Sequence, residues 1–228
     1  MLRNTFCILI LALSVLYVRG QSSVIRDPGS FSKLYVEDRI IVRLVKADKE
    51  SVQIQTQGID DESVKTELTD GTLKLSIFGE PFTKKKVMVT LNYVNLTDIE
   101  VAGGADVTTT SLFKGNELNV DLKSGGMLYL DADIQYLKAK LTEGALLTAE
   151  GYAEKMDVTA ATTATVSAFE LECDTVNIKV SSGGKAKIFA EEILNAEATT
   201  KGYISFKGEP EKLTQNVVSG GIIEAYQP

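Results

Sequence analysis

The sequence contains no histidine and no tryptophan, and only two cysteines among 228 residues. Without imidazole, histidine triads, histidine general bases and histidine metal sites are excluded. Arginine also runs out early, since none follows Arg43. Long apolar runs are scarce too. The one candidate, Phe6 to Val18, follows the positive Arg3 and ends in Val18-Arg19-Gly20. It is shorter than the roughly 18 to 20 residues that a spanning helix needs. Residues 1–20 are therefore expected to be a secretory signal peptide, with the mature chain starting at Gln21. No cysteine follows the run, so a lipoprotein is not expected. Cys7 leaves with the leader and Cys173 remains as a single thiol. It can form neither an internal disulfide nor a thiolate zinc site. The alternation of Phe169-Glu-Leu-Glu-Cys173 makes it a small hydrophobe on the apolar side of a strand.

Basic charge is short as well. The leader takes Arg3 and Arg19 from the 24 basic residues, leaving 22 against 31 acidic ones and a net charge of −9. That excess argues against nucleic acid or an anionic membrane face as partner. The basic run Lys84-Lys85-Lys86 reads as a solvated loop between strands. The mature chain is expected to be exported to the periplasm or the cell surface, without a transmembrane segment.

What the chain has in abundance is repetition. From Ile99 onward one pattern returns at Leu118, Leu137, Met156, Val176, Leu194 and Leu213, with successive spacings of 19, 19, 19, 20, 18 and 19 residues. A fixed period near twenty residues marks a solenoid, in which each repeat buries its apolar face only by stacking on its neighbours. Counting each copy from zero, positions 0, 2 and 4 are apolar, as in Leu118, Val120 and Leu122. A small-residue bend follows, as in Ser124-Gly125 and Ser182-Gly183. Positions 10 and 12 are apolar again, as in Leu128 and Leu130. Alternation on both sides of a glycine bend predicts two strands per coil, each pointing alternate side chains inward. The expected fold is all-β, a right-handed parallel β-solenoid of about 19-residue coils, since parallel crossovers are right-handed in about 98% of cases. Seven coils at a strand spacing of about 4.8 Å give a rod of roughly 30 Å.

Ahead of the repeats the pattern is looser. Residues 21–30 read as a flexible tail, and 31–228 as one domain with an irregular strand-rich part at 31–95 and regular repeats at 96–228. Short strand-like segments include Ile41-Val-Arg-Leu-Val, Val52-Gln-Ile-Gln-Thr, Leu73-Lys-Leu-Ser-Ile and Val87-Met-Val-Thr-Leu. Leu68-Thr-Asp70-Gly71-Thr-Leu73 signals a hairpin, and one short helix is expected around Asp60 to Lys65.

Phe31-Ser-Lys-Leu-Tyr-Val, the strands after it, Thr69-Asp-Gly-Thr-Leu-Lys-Leu and the Ser-Gly-Gly repeats together resemble the head GIN domains of the auto-transporter adhesin family. The resemblance runs over about residues 31–226. It implies an extracytoplasmic β-solenoid of the bacterial envelope with an adhesin role, and it supplies no catalytic residues. In one respect the sequence departs from the family label: no outer-membrane barrel follows the seventh repeat, so auto-transport in the literal sense is not expected.

Functional expectations rest on the outward positions. On the first strand, positions 1 and 3 form an ordinary wet face, for example Asn119/Asp121 and Asn177/Lys179. On the second strand, positions 9 and 11 are mixed, polar as in Thr165/Ser167 and Lys185/Lys187 but apolar or aromatic in two places. Met127, Tyr129 and Leu146 are expected to form one patch and Tyr203 with Ile222 another, since clustered outward apolar residues on a stiff sheet mark binding or self-association. The leading reading is a non-catalytic binding or adhesion module for a glycan, lipid or protein surface ligand. A homo-oligomer through the second-strand face is the further partner considered. No metal and no cofactor are expected. The alternatives are a carboxylate-dependent β-helix glycan hydrolase or lyase and an envelope structural or lipid-associated protein. For the enzyme, the candidate carboxylates are Asp131/Asp133, Asp60/Asp61/Glu62 and Glu191/Glu192, all expected at turns. A lyase is disfavoured because no arginine lies among the repeats.

Overall fold

The computed structural model describes residues 22–79 and 86–227. The expected leader, the start at Gln21 and Lys84-Lys85 lie outside the described residues. Every described strand belongs to one wound sheet, largely parallel.

The regular coils follow from the repeat. Strand β10 (Phe113–Leu122) stacks on β11 (Met127–Leu141), β11 on β12 (Leu146–Ala160) and β12 on β13 (Thr165–Val180), all in parallel register. Each long strand serves two sides of the rod. Its first half is the second side of one coil, and its second half is the first side of the next. In β11 the inward set switches from Leu128, Leu130, Ala132 and Ile134 to Leu137, Ala139 and Leu141. The two adjacent outward residues, Gln135 and Tyr136, make the corner. Leu118, Leu137, Met156, Val176 and Leu194 stack into one fully buried column.

The other corner explains the Ser-Gly-Gly signature. Ser124 (φ 50°) and Gly125 (φ 73°) are both left-handed, closing a turn in which the Gly126 amide donates to the Lys123 carbonyl at 2.9 Å. The second glycine has a separate cause. A Cβ at Gly126 would stand 2.3 Å from the Val101 carbonyl oxygen of the preceding coil. Close approach of backbones favours glycine in this coil, although Ala145 and Ala164 fill the equivalent corner later, whereas the positive φ falls on the residues before it.

Toward the C-terminus the two sides are separate strands. β14 (Lys185–Phe189), β16 (Tyr203–Lys207) and β18 (Ile222–Ala225) continue the second side. β15 (Ile193–Ala198) and β17 (Lys212–Val217) continue the first. With a coil on one side only among the described residues, Leu213 and Val217 remain 46% and 49% exposed at positions that are inward elsewhere.

At the other end, chain order and spatial order part. β2 (Lys33–Val36) lies between β6 (Thr72–Ile77) and β8 (Asp98–Val101). Likewise β3 (Ile41–Lys46) lies between β7 (Lys86–Tyr93) and β9 (Asp106–Thr109). The coil made by β6 and β7 therefore sits outside the one made by β2 and β3, although it comes later in sequence. Antiparallel strands then cover this end: β4 (Ser51–Gln57) on β7, β1 (Ser22–Arg26) on β4, and β5 (Val64–Thr69) on β6. Such a cover removes an open parallel edge.

Three sequence expectations change here. Residues 22–26, read as tail, form β1: they pair with residues 52–56, and the Arg26 guanidinium donates to the carbonyls of Val64 (2.5 Å) and Asp61 (2.7 Å). The short helix is a single 3-10 turn over Asp61–Ser63, and β5 already begins at Val64. The first repeat is set two residues differently, since Ile99 pairs with Val120 and Asp106 with Met127. The segment 109–112 holds the two extra residues. The shift is even, so inward residues stay inward. The Asp70-Gly71 hairpin between β5 and β6 matches its expectation, with positive φ at both turn residues.

Candidate functional site

The second side presents the expected apolar residues in register. Met127 lies beside Leu146, and Tyr203 beside Ile222. Met127 is 37% and Ile222 50% exposed, while Tyr129, Leu146 and Tyr203 are half-buried. Thr165 and Lys185 occupy the same column between Leu146 and Tyr203, so the two clusters are separated by two polar coils. A further cluster on this side was not read from sequence. A register shift between β12 and β13 places Phe169 as an extra residue. Its ring packs against Tyr226 at 4.9 Å and lies under the ammonium of Lys207 at 4.8 Å, which also pairs with Glu170 at 2.9 Å. The 20-then-18 spacing around Val176 is its trace in the sequence.

Tyrosines tie successive coils together. The Tyr203 hydroxyl donates to Glu224 and that of Tyr152 to Asp174, both at 2.6 Å. Tyr136 donates to Asp157 in the same way. In each case the acceptor lies 21 or 22 residues on, one coil further and a little along it. The hydrogen bond to Asp174, with some burial, pushes the Tyr152 phenol up to about 12 from an ordinary value of 10.0. Because the folded value is the raised one, the stabilisation from this pair is complete below pH 10. It disappears as pH rises through about 12. Tyr152 is 40% exposed, so the energy is small. Tyr35, Tyr93, Tyr129, Tyr136 and Tyr203 are raised too, so ultraviolet titration of Asp174→Ala against the parent chain should show one late phenolate fewer, as Tyr152 moves back toward 10.

The first side carries a long concave surface. A groove of about 790 Å³ runs from Tyr35 to Thr159, and one of about 460 Å³ continues from Asp157 to Asn216. They share Asp157 and Thr159, and so form one channel along the rod. Its walls are the outward columns at positions 1 and 3, roughly 7 Å apart because one residue lies between them. Its floor is the position between, for example Val120, Ala139, Val158 and Ala196, each at most 5% exposed. Along one wall Asn195 donates to Asn177 at 2.8 Å, and Asn177 donates to Asp157 at 2.6 Å. Partial burial works to raise the Asp157 carboxyl. Bonds from Asn177 and Tyr136, with Lys155 nearby, outweigh it and hold the group below its ordinary range.

The carboxylates considered for catalysis are not assembled. Asp131 and Asp133 lie within β11 rather than at a turn, because that strand runs unbroken to Leu141. Asp133 pairs with Lys114 at 2.9 Å. Asp60 precedes the 3-10 turn that contains Asp61 and Glu62, and Glu191 and Glu192 lie between β14 and β15. Among the described residues, no group of three or more Cys, Asp or Glu could hold a metal ion. Burial pushes the Cys173 thiol up to about 12, which leaves it inert. No described helix is long and apolar enough to cross a membrane.

Residues 30–210 match the family described as "Putative auto-transporter adhesin, head GIN domain". A "putative adhesin" of Bacteroides fragilis superposes with a TM-score of 0.82 at 20% identity, covering 91% of this chain and 98% of that one. Another from Parabacteroides merdae gives 0.75 at 20% identity, covering 92% and 98%. A "putative lipid binding protein" of Parabacteroides distasonis gives 0.73 at 15% identity, again covering 92% and 98%. No curated protein matches the chain. At these identities the solved structures establish the shared fold.

Proposed function

We propose, from the premise that the chain belongs to the auto-transporter adhesin head GIN domain family, that it is a non-catalytic adhesion module of the bacterial envelope. It holds an external partner on the outward side chains of a rigid rod. Met127, Tyr129, Leu146, Tyr203 and Ile222 are its apolar contact points on the second side, for a surface ligand or a second copy. The observation that carries this reading is the in-register pairing of Met127 with Leu146 and of Tyr203 with Ile222 on a stiff sheet. Apolar and aromatic anchors on a preorganised surface yield desolvation energy without a large ordering cost. The adhesin names of the similar solved structures agree with this role.

The test compares Tyr129→Ser with Tyr203→Ser, as a double variant, with Asp131→Asn/Asp133→Asn. Self-association is read by analytical ultracentrifugation, and retention on a glycan array and on phospholipid vesicles is scored alongside. The tyrosine variant should lose association or retention severalfold with little change in melting temperature. The aspartate variant should keep both. Polysaccharide cleavage that the aspartate change abolishes would make the protein an enzyme instead.

A further inference from the structure

We infer that the first-side channel is a binding site for an unbranched, electrically neutral polysaccharide lying parallel to the rod axis. This rests on the reading of the protein as a binding module, but not on the apolar second side.

The channel crosses coils at a repeat of about 4.8 Å. That spacing is close to the length of one pyranose unit in an extended chain, so each coil meets about one sugar. The walls offer groups that both donate and accept. Asn177, Asn195 and Asn216 are amides, and Thr159 and Thr214 are hydroxyls. Such groups suit hydroxyls, which also do both. The amide wall is already ordered, because Asn195, Asn177 and Asp157 form a continuous chain closed by Tyr136. Ordering before binding lowers the cost of recognition.

Charge sets the ligand class. In the larger stretch Lys33, Lys138 and Lys140 stand against Asp98, Glu100, Asp121 and Asp157. In the smaller one Lys179 stands against Asp157 and Glu197. The near balance offers no clamp for a polyanion, although the whole chain carries −7. An acyl chain is disfavoured because the apolar floor is at most 5% exposed. A peptide strand is disfavoured because the floor backbone is already bonded in the parallel ladder above and below. The ring of Tyr136 is not a free stacking platform, since the ammoniums of Lys138 and Lys155 lie 4.6 and 4.7 Å from its centroid. Binding therefore depends on hydrogen bonds summed over several sugars, and affinity should rise with chain length.

The experiment is calorimetry on the mature chain with cellohexaose, xylohexaose, mannohexaose and maltohexaose, their trisaccharides, polygalacturonate and phosphatidylcholine–phosphatidylglycerol vesicles. At least one neutral hexasaccharide should bind, at least fivefold tighter than its trisaccharide. Thr159→Trp fills the channel where its two stretches meet, and should weaken binding at least tenfold with an unchanged melting temperature. Asn177→Leu/Asn195→Leu should weaken binding as much, with a modest drop in melting temperature because the inter-coil amide bonds go with it. Tyr129→Ser/Tyr203→Ser should leave this binding untouched, so a failure of the second-side reading is seen separately. The inference is overturned if no neutral hexasaccharide binds, if binding survives Thr159→Trp, or if polygalacturonate or vesicles bind more tightly than every neutral sugar.

Discussion

Leu122→Asp should abolish the cooperative melting transition of the rod or lower it by more than about 10 °C, whereas Asn119→Asp and Lys179→Asp should move it by only a few degrees. Leu122 is fully buried and stacks directly between Val101 and Leu141 of the neighbouring coils. Its replacement removes about 2 to 5 kcal/mol of packing and leaves a carboxylate with no partner. A chain of this size loses about 2 to 4 °C per kcal/mol. Asn119, on the strand of Leu122, and Lys179, on β13, occupy outward positions of the same side of the rod, where a carboxylate stays hydrated. Lys179 loses only an exposed pair with Glu197 at 3.4 Å, worth about 1 kcal/mol or less. The same ordering should hold for Leu128, Ile178, Ile188 and Ile204, each no more than 1% exposed. Circular-dichroism melts would check it. Equal shifts at the inward and outward sites would mean that the alternation does not define the core.

That alternation was the legible part, and the reason is local. A coil repeats its own chemistry, so Leu118, Leu137 and Met156 declare their shared column without any knowledge of the partner strand. Non-local pairing is different. Nothing in Leu34 or Val36 says that β6 will lie on one side of β2 and β8 on the other, because every parallel strand carries the same inward pattern. The two-residue slip at Ile99 has a related origin. Both registers keep the same residues inward, and only the loop before Phe113 distinguishes them. Residues 22–26 show a third limit: a tail-like composition became a strand because it pairs with β4 and one guanidinium reaches two carbonyls, all distant in sequence.

The candidate site divides in the same way. The adjacency of Met127 with Leu146 follows from the period alone. The first-side wall does not, because its network runs diagonally. Comparison at equal repeat positions sets Tyr136 against Lys155, while its hydroxyl reaches Asp157. The Asp157–Asn177–Asn195 chain was visible as three polar residues at one repeat position. Its depth as a channel depends on both walls at once.

Glycine substitutions should separate the two reasons for which this fold uses glycine, with Gly151→Ala the most damaging among Gly115, Gly126, Gly151 and Gly220. Gly115 has neither a positive φ nor a close neighbour, the nearest atom to a Cβ being Phe113 Cε1 at 3.7 Å. Gly220 has φ +76° with nothing within 4 Å. Gly126 has no left-handed φ, but a Cβ would meet the Val101 carbonyl oxygen at 2.3 Å. Gly151 combines both, with φ +102° and a Cβ 2.1 Å from the Ala132 carbonyl oxygen. Alanine at Gly115 should be neutral or slightly stabilising, since it lowers the entropy of the unfolded chain. At Gly220 it should cost about 1 to 2 kcal/mol, the left-handed strain alone. At Gly126 the cost should be of similar size. Ala145 and Ala164 occupy the same corner position in later coils, which shows that a methyl can be accommodated there when the neighbouring backbone shifts. At Gly151 such relief is blocked. The residue is paired to Ala132 on one side and Leu171 on the other, so moving away from one carbonyl strains the second ladder. A loss of about 3 kcal/mol or more is expected from the combined strain and collision. Melting curves that placed Gly220→Ala below Gly151→Ala in stability would show that backbone conformation, not the approach of neighbouring coils, limits these positions.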